Sequence, residues 1–391
     1  MRLLGTASHG NEMTEKLRVG VVGTGIGAAY IAGFQRQPGV EVASICARNP
    51  AHSEPLVKKY QIPRSFTDFK TMLAQEELDI VVIATPNYLH YPMAMAALDT
   101  GHHVLCDKPL ALNSVQAREM AQHADELGRK HFVAFTWQFL PAAAYMKEIL
   151  GTGFLGRLYH VNVQYFVRTW ADPALPMRWQ LERAQAGSGS LANLGSHAIH
   201  LLHWWFGGFR RVCGMLTTFV KERSSGTAGG SVPVEVDDAC GFLGELENGA
   251  GVVFNTSSVA WVRHVYMQIG LFGSEGSLIL EDDWGDADAM TGRIFAMRKN
   301  DPARSIVPIP ARLTGDFLDM PDYYTPFRTC FSRMANEFVN AIREDRPACP
   351  NFHHGFQVQE VIDALLRSAT EGNWTPLPAL TSSRQTSAQL G

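Results

Sequence analysis

The chain has 391 residues, 46% of them hydrophobic and 18% charged, with a formal net charge of −4. That composition suits a packed protein of two or three domains and excludes a disordered one. The slightly negative balance offers nothing to nucleic acid or an anionic membrane surface, and no apolar run approaches the ~20 residues of a membrane span.

The opening stretch, MRLLGTASHGNEMTEK, has too short an apolar core for a signal peptide, so residues 1–16 read as a disordered leader. Leu17–Val22 is then a β-rich run. It is followed by GTGIGA, a helical segment and a second strand, VEVASIC. Strand, glycine turn, helix and strand within about thirty residues is the setting in which G-x-G-x-x-G/A holds a dinucleotide. Gly23 permits the tight turn, Gly25 lets the backbone approach a pyrophosphate, and Ala28 keeps the helix close to the sheet. With Ile26 and Gly27 they form the expected phosphate cradle at a helix N-terminus. An acid about twenty residues past the turn would bond a ribose 2′-hydroxyl. Here the second strand runs into Ala47 and Arg48, a cation that leaves room for a 2′-phosphate. The cofactor is accordingly read as NAD or NADP.

Further strand–helix units follow. Ile80–Ala84 reads as a buried strand, with a turn at Thr85, Pro86 and Asn87 before a helix that includes His90. GHHVLCDKPLALN gives another strand and loop, SVQAREMAQHADELGRK a helix, and HFVAFTWQF a strand. This alternation predicts a doubly wound parallel sheet with ligands at the carboxyl ends of its strands, hence beside Asp107 and Lys108. The reading is an N-terminal Rossmann domain over residues 17–138 and a second domain over 139–391, to which the resemblance described below assigns substrate binding and oligomerisation.

The second part begins with an alternating strand in GRLYHVNVQYFVRTW, then a loop, ADPALPMRWQLERAQAGSGS. Two hairpins follow, turning at ENGA and GSEGS. The acidic run EDDWGDADA (281–289) lacks EF-hand spacing and reads as an exposed loop, and GTAGGS (226–231) as a flexible one. The six cysteines are scattered without a C-x-x-C pair. A zinc ribbon is therefore not expected, and reduced thiols in the cytoplasm are the simplest reading. His197, His200 and His203 would fan apart on a helix rather than converge, so no metal is expected there.

GVVGTGIGA, DIVVIATPNYLH, HHVLCDKPLALN and GSLANLGSHAIHLLHWWFG occur in the order seen in the Gfo/Idh/MocA oxidoreductases, which the chain resembles from about residue 17 to about 375. The resemblance implies a Rossmann domain followed by a C-terminal α/β domain on a large open, mostly antiparallel sheet. It implies a homodimer or homotetramer formed through the outer sheet face, and sugar, polyol or glycoside substrates. Lys108 matches the family's catalytic lysine, although E-K-P is replaced by Asp107-Lys108-Pro109. His197 matches the histidine of D-x-x-x-H, and Asn193 stands where the acid usually is. In this reading Lys108 steadies the substrate oxygen, His197 carries the proton, and Asn193 holds the imidazole by a neutral hydrogen bond. Gln138 stands in place of a family arginine. Trp170, Arg178 and Trp179 are the expected substrate contacts, indoles suiting sugar faces and arginine an anionic substituent. Two alternatives stay open: a glycosidase that retains NAD and oxidises only transiently, and a non-enzymatic dinucleotide-binding protein.

Overall fold

The structure, a computed structural model, describes residues 16–226, 229–283, 291–316 and 325–379. Apart from Lys16, the expected leader lies outside the described residues, as do Thr227 and Ala228 of the glycine loop and most of the acidic run. Among the described residues no helix is long and apolar enough to cross a membrane.

Six strands form the first sheet: β1 (Leu17–Val22), β2 (Val40–Cys46), β3 (Arg64–Phe66), β4 (Ile80–Ile83), β5 (His103–Cys106) and β6 (His131–Val133). Their order is β3-β2-β1-β4-β5-β6, parallel throughout. Helices α1 (Gly27–Gln35), α2 (Pro50–Tyr60), α3 (Phe69–Gln75), α4 (His90–Asp99) and α5 (Ser114–Glu126) connect them. Strands buried on both faces need unbroken apolar runs, and Ile80–Ile83 is fully buried. HFVAFTWQF is strand only to Val133; Thr136–Phe139 turns into a 3₁₀ helix. Helices α2 and α3 and strand β3 carry no strong periodic signal in the sequence.

After α6 (Pro141–Gly151) comes the long β7 (Leu158–Val167). It lies in a nine-stranded sheet with β8 (Phe209–Thr217), β11 (Ala239–Leu246), β12 (Gly251–Ser257), β13 (Val265–Gly273), β14 (Gly276–Asp283), β15 (Arg293–Arg298), β16 (Ser305–Val307) and β17 (Thr375–Pro376). Its pairs are antiparallel except β7 with β12. Strands β9 (Glu222–Ser224) and β10 (Ser231–Pro233) make a separate hairpin. Both expected hairpins form, at β11–β12 and β13–β14. The remaining helices are α7 (Arg183–Ala186), α8 (Ser196–Phe206), α9 (Ala311–Thr314), α10 (Thr325–Arg343) and α11 (Phe352–Glu371).

Two cores result. One lies between the sheets: Val81, Val104 and Val133 of the first sheet join Val161, Phe242 and Ile269 of the second through α8 and α11. The other covers the far face of the first sheet, where Tyr30, Ile31 and Phe34 of α1 meet Phe331, Met334 and Phe338 of α10. Gly33 makes that approach possible, since a Cβ there would stand 2.8 Å from the Phe331 carbonyl oxygen. Residues late in the chain thus complete the first sheet's core.

A polar tie closes α5, β6 and α11 together. Asp125 accepts hydrogen bonds from His131 Nε2 at 3.1 Å and His353 Nε2 at 2.7 Å. His131 Nδ1 accepts from the Phe352 N–H at 2.9 Å, which fixes its proton on Nε2. A metal needs that nitrogen bare, so the tautomer suits a hydrogen-bonded tie rather than a metal ligand. Burial pushes the Asp125 carboxyl up, but the two histidine bonds and their charges outweigh it and hold it well below the usual carboxylate range. A depressed folded pKa contributes stability above the unfolded pKa and loses it as pH falls towards the folded one. At neutral pH the Asp125→Asn variant is expected to melt a few degrees below the parent. That gap should narrow as the pH falls below the ordinary carboxylate range. Thermal melts between about pH 2 and pH 8 check this, and a gap independent of pH contradicts it.

Candidate functional site

The carboxyl ends of β1, β4 and β5 meet the N-terminus of α8 at one crevice. The glycine turn forms its first wall. Gly23 has φ +102, and a Cβ there would lie 2.1 Å from the Ala84 carbonyl oxygen, so only glycine fits between β1 and β4. At Gly25 a Cβ would meet nothing within 4 Å, which leaves the backbone open to an approaching phosphate. Ile26 occupies the N-cap of α1 without a side-chain cap, and the first turn carries no acid. Its free N–H groups and positive dipole end are therefore available to an anion. These features fit a dinucleotide. Gly27, rather than Ala28, is the residue set against the sheet: it is buried, and a Cβ there would sit 3.5 Å from Val21. Arg48 stands exposed just past β2.

The second wall follows β4 and β5. Thr85 keeps a buried hydroxyl with no protein partner, a donor or acceptor suited to a ligand. Pro86 starts the short turn Asn87–Leu89. Two residues expected to touch cofactor act on the rim instead. The buried Asn87 gives its Nδ2 to the Ala186 carbonyl at 2.9 Å, tying the rim to α7. His90 is fully buried, with Nδ1 2.8 Å from the Pro109 carbonyl and Nε2 2.9 Å from that of Thr85. Burial lowers its pKa, so the neutral ring donates to one of the two carbonyls and packs between the strand ends, with neither nitrogen facing the crevice. Asp107 Oδ1 accepts from the Tyr30 hydroxyl at 3.0 Å and from the Lys108 N–H at 2.9 Å.

Lys108 reaches across to the other half of the protein. Its Nζ donates to the Asn193 carbonyl at 2.9 Å and to Asn193 Oδ1 at 2.7 Å. Burial lowers the Lys108 pKa, and the nearby Asp107 only partly restores it. Asn193 lies in a π-helical turn, Leu191–Gly195, that runs directly into α8. The wide turn spoils the simple four-residue spacing between Asn193 and His197. The expected Asn193–His197 hydrogen bond is absent; Asn193 holds the lysine instead. His197 is buried beside Phe135 and Trp137, its Nδ1 without a partner. Burial, and then the charge of Lys108, push its pKa well down, so it is neutral near pH 7.

One turn further on, His200 stacks on Phe135 at 4.2 Å and bonds Gln138 Oε1 at 2.7 Å. Gln138 is itself buried and also reaches Cys349 Sγ at 3.8 Å. It braces α8 and is not a surface for substrate. Trp170, Arg178 and Trp179 lie on the segment 168–187, which meets the rim at Ala186. Trp170 packs on Leu181, Val234 and Val236; Arg178 is exposed and Trp179 half-buried.

Asp237 is the site residue that sequence reasoning missed. Buried, it accepts from Ser188 Oγ at 2.6 Å, Gly189 N at 2.8 Å and Leu191 N at 2.8 Å. It therefore caps the π turn and fixes where Asn193 and His197 stand. Its only trace in the sequence is the acid pair Asp237-Asp238 at a strand start.

Comparison with known proteins agrees with this geometry. Residues 17–135 match the profile of an oxidoreductase family described as an NAD-binding Rossmann fold, and residues 143–279 match the GFO/IDH/MocA C-terminal domain. Levoglucosan dehydrogenase of Pseudarthrobacter phenanthrenivorans is 28% identical, the match covering 94% of this chain and 99% of that protein. An uncharacterised oxidoreductase of Synechocystis is 30% identical over 93% of this chain and 97% of its own length. A structure of levoglucosan dehydrogenase with NADH and levoglucosan superposes with a TM-score of 0.84 at 26% identity, over 93% of this chain and 100% of that one.

An aspartate at 193 would give Lys108 a charged acceptor and raise its pKa. For a lysine that must be protonated to work, activity falls as pH rises through that pKa. Asn193→Asp is therefore expected to move the alkaline limb of the kcat/KM profile to higher pH. An unmoved limb counts against this account of Asn193.

Proposed function

Because the chain belongs to the Gfo/Idh/MocA oxidoreductase family, we propose that it is an NAD(P)-dependent dehydrogenase oxidising a carbinol of a sugar or polyol, with Lys108 and His197 at the reacting oxygen. The observation that carries this is the Lys108 ammonium, held by both oxygens of Asn193 at the crevice that the glycine turn also lines. The likeness to levoglucosan dehydrogenase over nearly its whole length supports a sugar as substrate.

Oxidising a carbinol removes a hydride from carbon and a proton from oxygen. A nicotinamide dinucleotide, when bound at the turn, would supply the hydride acceptor. Gly25 and the uncapped start of α1 would hold its phosphates, and the unpartnered Thr85 hydroxyl is available to it. Lys108 spends two of its three N–H bonds on Asn193 and keeps one for the substrate oxygen, where it stabilises negative charge as the proton leaves. Burial and Lys108 keep His197 neutral, hence able to accept that proton. Asn193 takes no proton; it aims the lysine. Arg48, exposed where a ribose-binding acid is missing, supports acceptance of NADP as well as NAD.

The same proposal extends to assembly and setting. Met215, Leu243 and Val253 are exposed on the open face of the large sheet, with Leu243 directly opposite Val253. Exposed apolar side chains on one sheet face favour burial against a second copy, which supports a homodimer or homotetramer. All six cysteines are free thiols, which supports a cytoplasmic protein.

The test offers a panel of sugars and aryl glycosides with NAD or NADP and follows reduced nicotinamide and aglycone release together. Reduced cofactor should accumulate with an underivatised sugar. Lys108→Ala and His197→Ala should each lower kcat by about 10²- to 10⁴-fold. Aglycone release without net cofactor reduction would overturn the dehydrogenase reading in favour of a redox-neutral glycosidase, and wild-type rates in both variants would overturn the site.

A further inference from the structure

The segment 168–187 contains little regular structure, yet part of its backbone turns inward. Buried carbonyls need donors, and here one side chain from outside the segment provides them. Arg223, in β9, is 2% exposed. Its Nη1 donates to the Asp172 carbonyl at 2.8 Å and to that of Leu175 at 3.3 Å, and its Nη2 to that of Trp170 at 2.5 Å. The guanidinium carbon also lies 5.8 Å from the Trp170 ring centre.

A buried cation is costly unless its donors are used. None of these three bonds goes to a carboxylate; all go to main-chain oxygens of one segment. A planar fork with five N–H groups reaches three carbonyls spread along the segment, whereas a lysine's three donors all radiate from one nitrogen and cover less of it. Beside it the Met177 N–H donates to the Ser224 carbonyl at 2.8 Å, and Trp170, Met177 and Leu181 pack on Val234 and Val236 of the same hairpin region. At its other end the segment is tied to the cofactor rim through Asn87 and Ala186. The segment therefore runs from the cofactor rim to the β9–β10 hairpin, with further ties from the Trp170 N–H to the Ser258 carbonyl at 2.9 Å and from the Glu235 N–H to the Leu181 carbonyl at 3.2 Å. Arg223 holds the part that bears Trp170 and leads into Arg178 and Trp179.

We propose that Arg223 is a positioning residue for substrate selection, its guanidinium holding the segment 170–178 as the outer wall of the sugar site. This rests on the dehydrogenase reading for the identity of the ligand, but the anchoring of the segment is independent of it. Arg223 bonds no element of the cofactor wall, so its loss separates sugar recognition from dinucleotide binding.

The experiment compares full-length wild type, Arg223→Met and Arg223→Lys. Trypsin cleavage after Arg178 reports the segment directly, NADH binding reports the Rossmann half, and steady-state kinetics report the sugar. In Arg223→Met we expect cleavage at Arg178 and sugar KM each to rise about tenfold or more, with kcat and NADH affinity within about threefold of wild type; Arg223→Lys falls between. Unchanged cleavage and unchanged KM overturn the proposal. So does a parallel loss of NADH affinity, melting temperature and kcat, which marks a general structural role. If wild type oxidises no sugar, the dehydrogenase reading fails, while cleavage and NADH binding still decide whether Arg223 anchors the segment.

Discussion

The grip of Asn193 on the Lys108 ammonium is the interaction on which the site depends. The cation comes from the end of β5 in one sheet, and both acceptors come from the turn that opens α8 against the other. Neither half contains the site alone. A half-buried ammonium facing only neutral acceptors is also an electrostatically expensive object, and the surrounding structure is arranged to support it. On the lysine side, Asp107 is fastened by the Tyr30 hydroxyl and His90 braces Pro109 against Thr85. On the asparagine side, Asp237 caps the π turn with three hydrogen bonds.

This arrangement explains the character of α8. A helix buried over most of its length and carrying three histidines has to account for its polar atoms. His200 does so at Nε2, through Gln138, while its Nδ1 is buried without a partner and its ring is stacked on Phe135. His203 is buried without a partner, and desolvation lowers its pKa to about 4. The helix is therefore uncharged near neutrality and can lie in the apolar core between the sheets, leaving Lys108 as the positive charge beside His197. The π turn concentrates the departure from regular geometry at the one place where two chain oxygens must face an ammonium, as such turns often do at functional sites.

Much of this was legible in the sequence because the signals were local. Leu17–Val22 and Val40–Cys46 form the strands that their apolar runs announce, the glycine turn lies between them, and both hairpins turn where Gly and Asn mark them. Lys108 and His197 could be named from their motifs. At the site the main failures share a cause, a partner distant in sequence. The spacing pairs Asn193 with His197, four residues away, but its partner is Lys108, 85 residues away. Asp237 caps a turn 46 residues upstream at its nearest bond to Leu191. Arg223 gathers carbonyls about fifty residues before it. His90 and Gln138 looked like ligand contacts because polar residues near strand ends often are; burial turned both into braces.

The central claim is that burial opposite a neutral amide lowers the Lys108 pKa while leaving the ammonium in the grip of Asn193. A titration of the Lys108 side chain by NMR, with ε-carbon-labelled lysine and Lys108→Met to assign the signal, measures it directly. The account predicts a midpoint below the ordinary lysine value that moves upward in Asn193→Asp. A Lys108 signal titrating as a free surface lysine, and unmoved by that substitution, would contradict it.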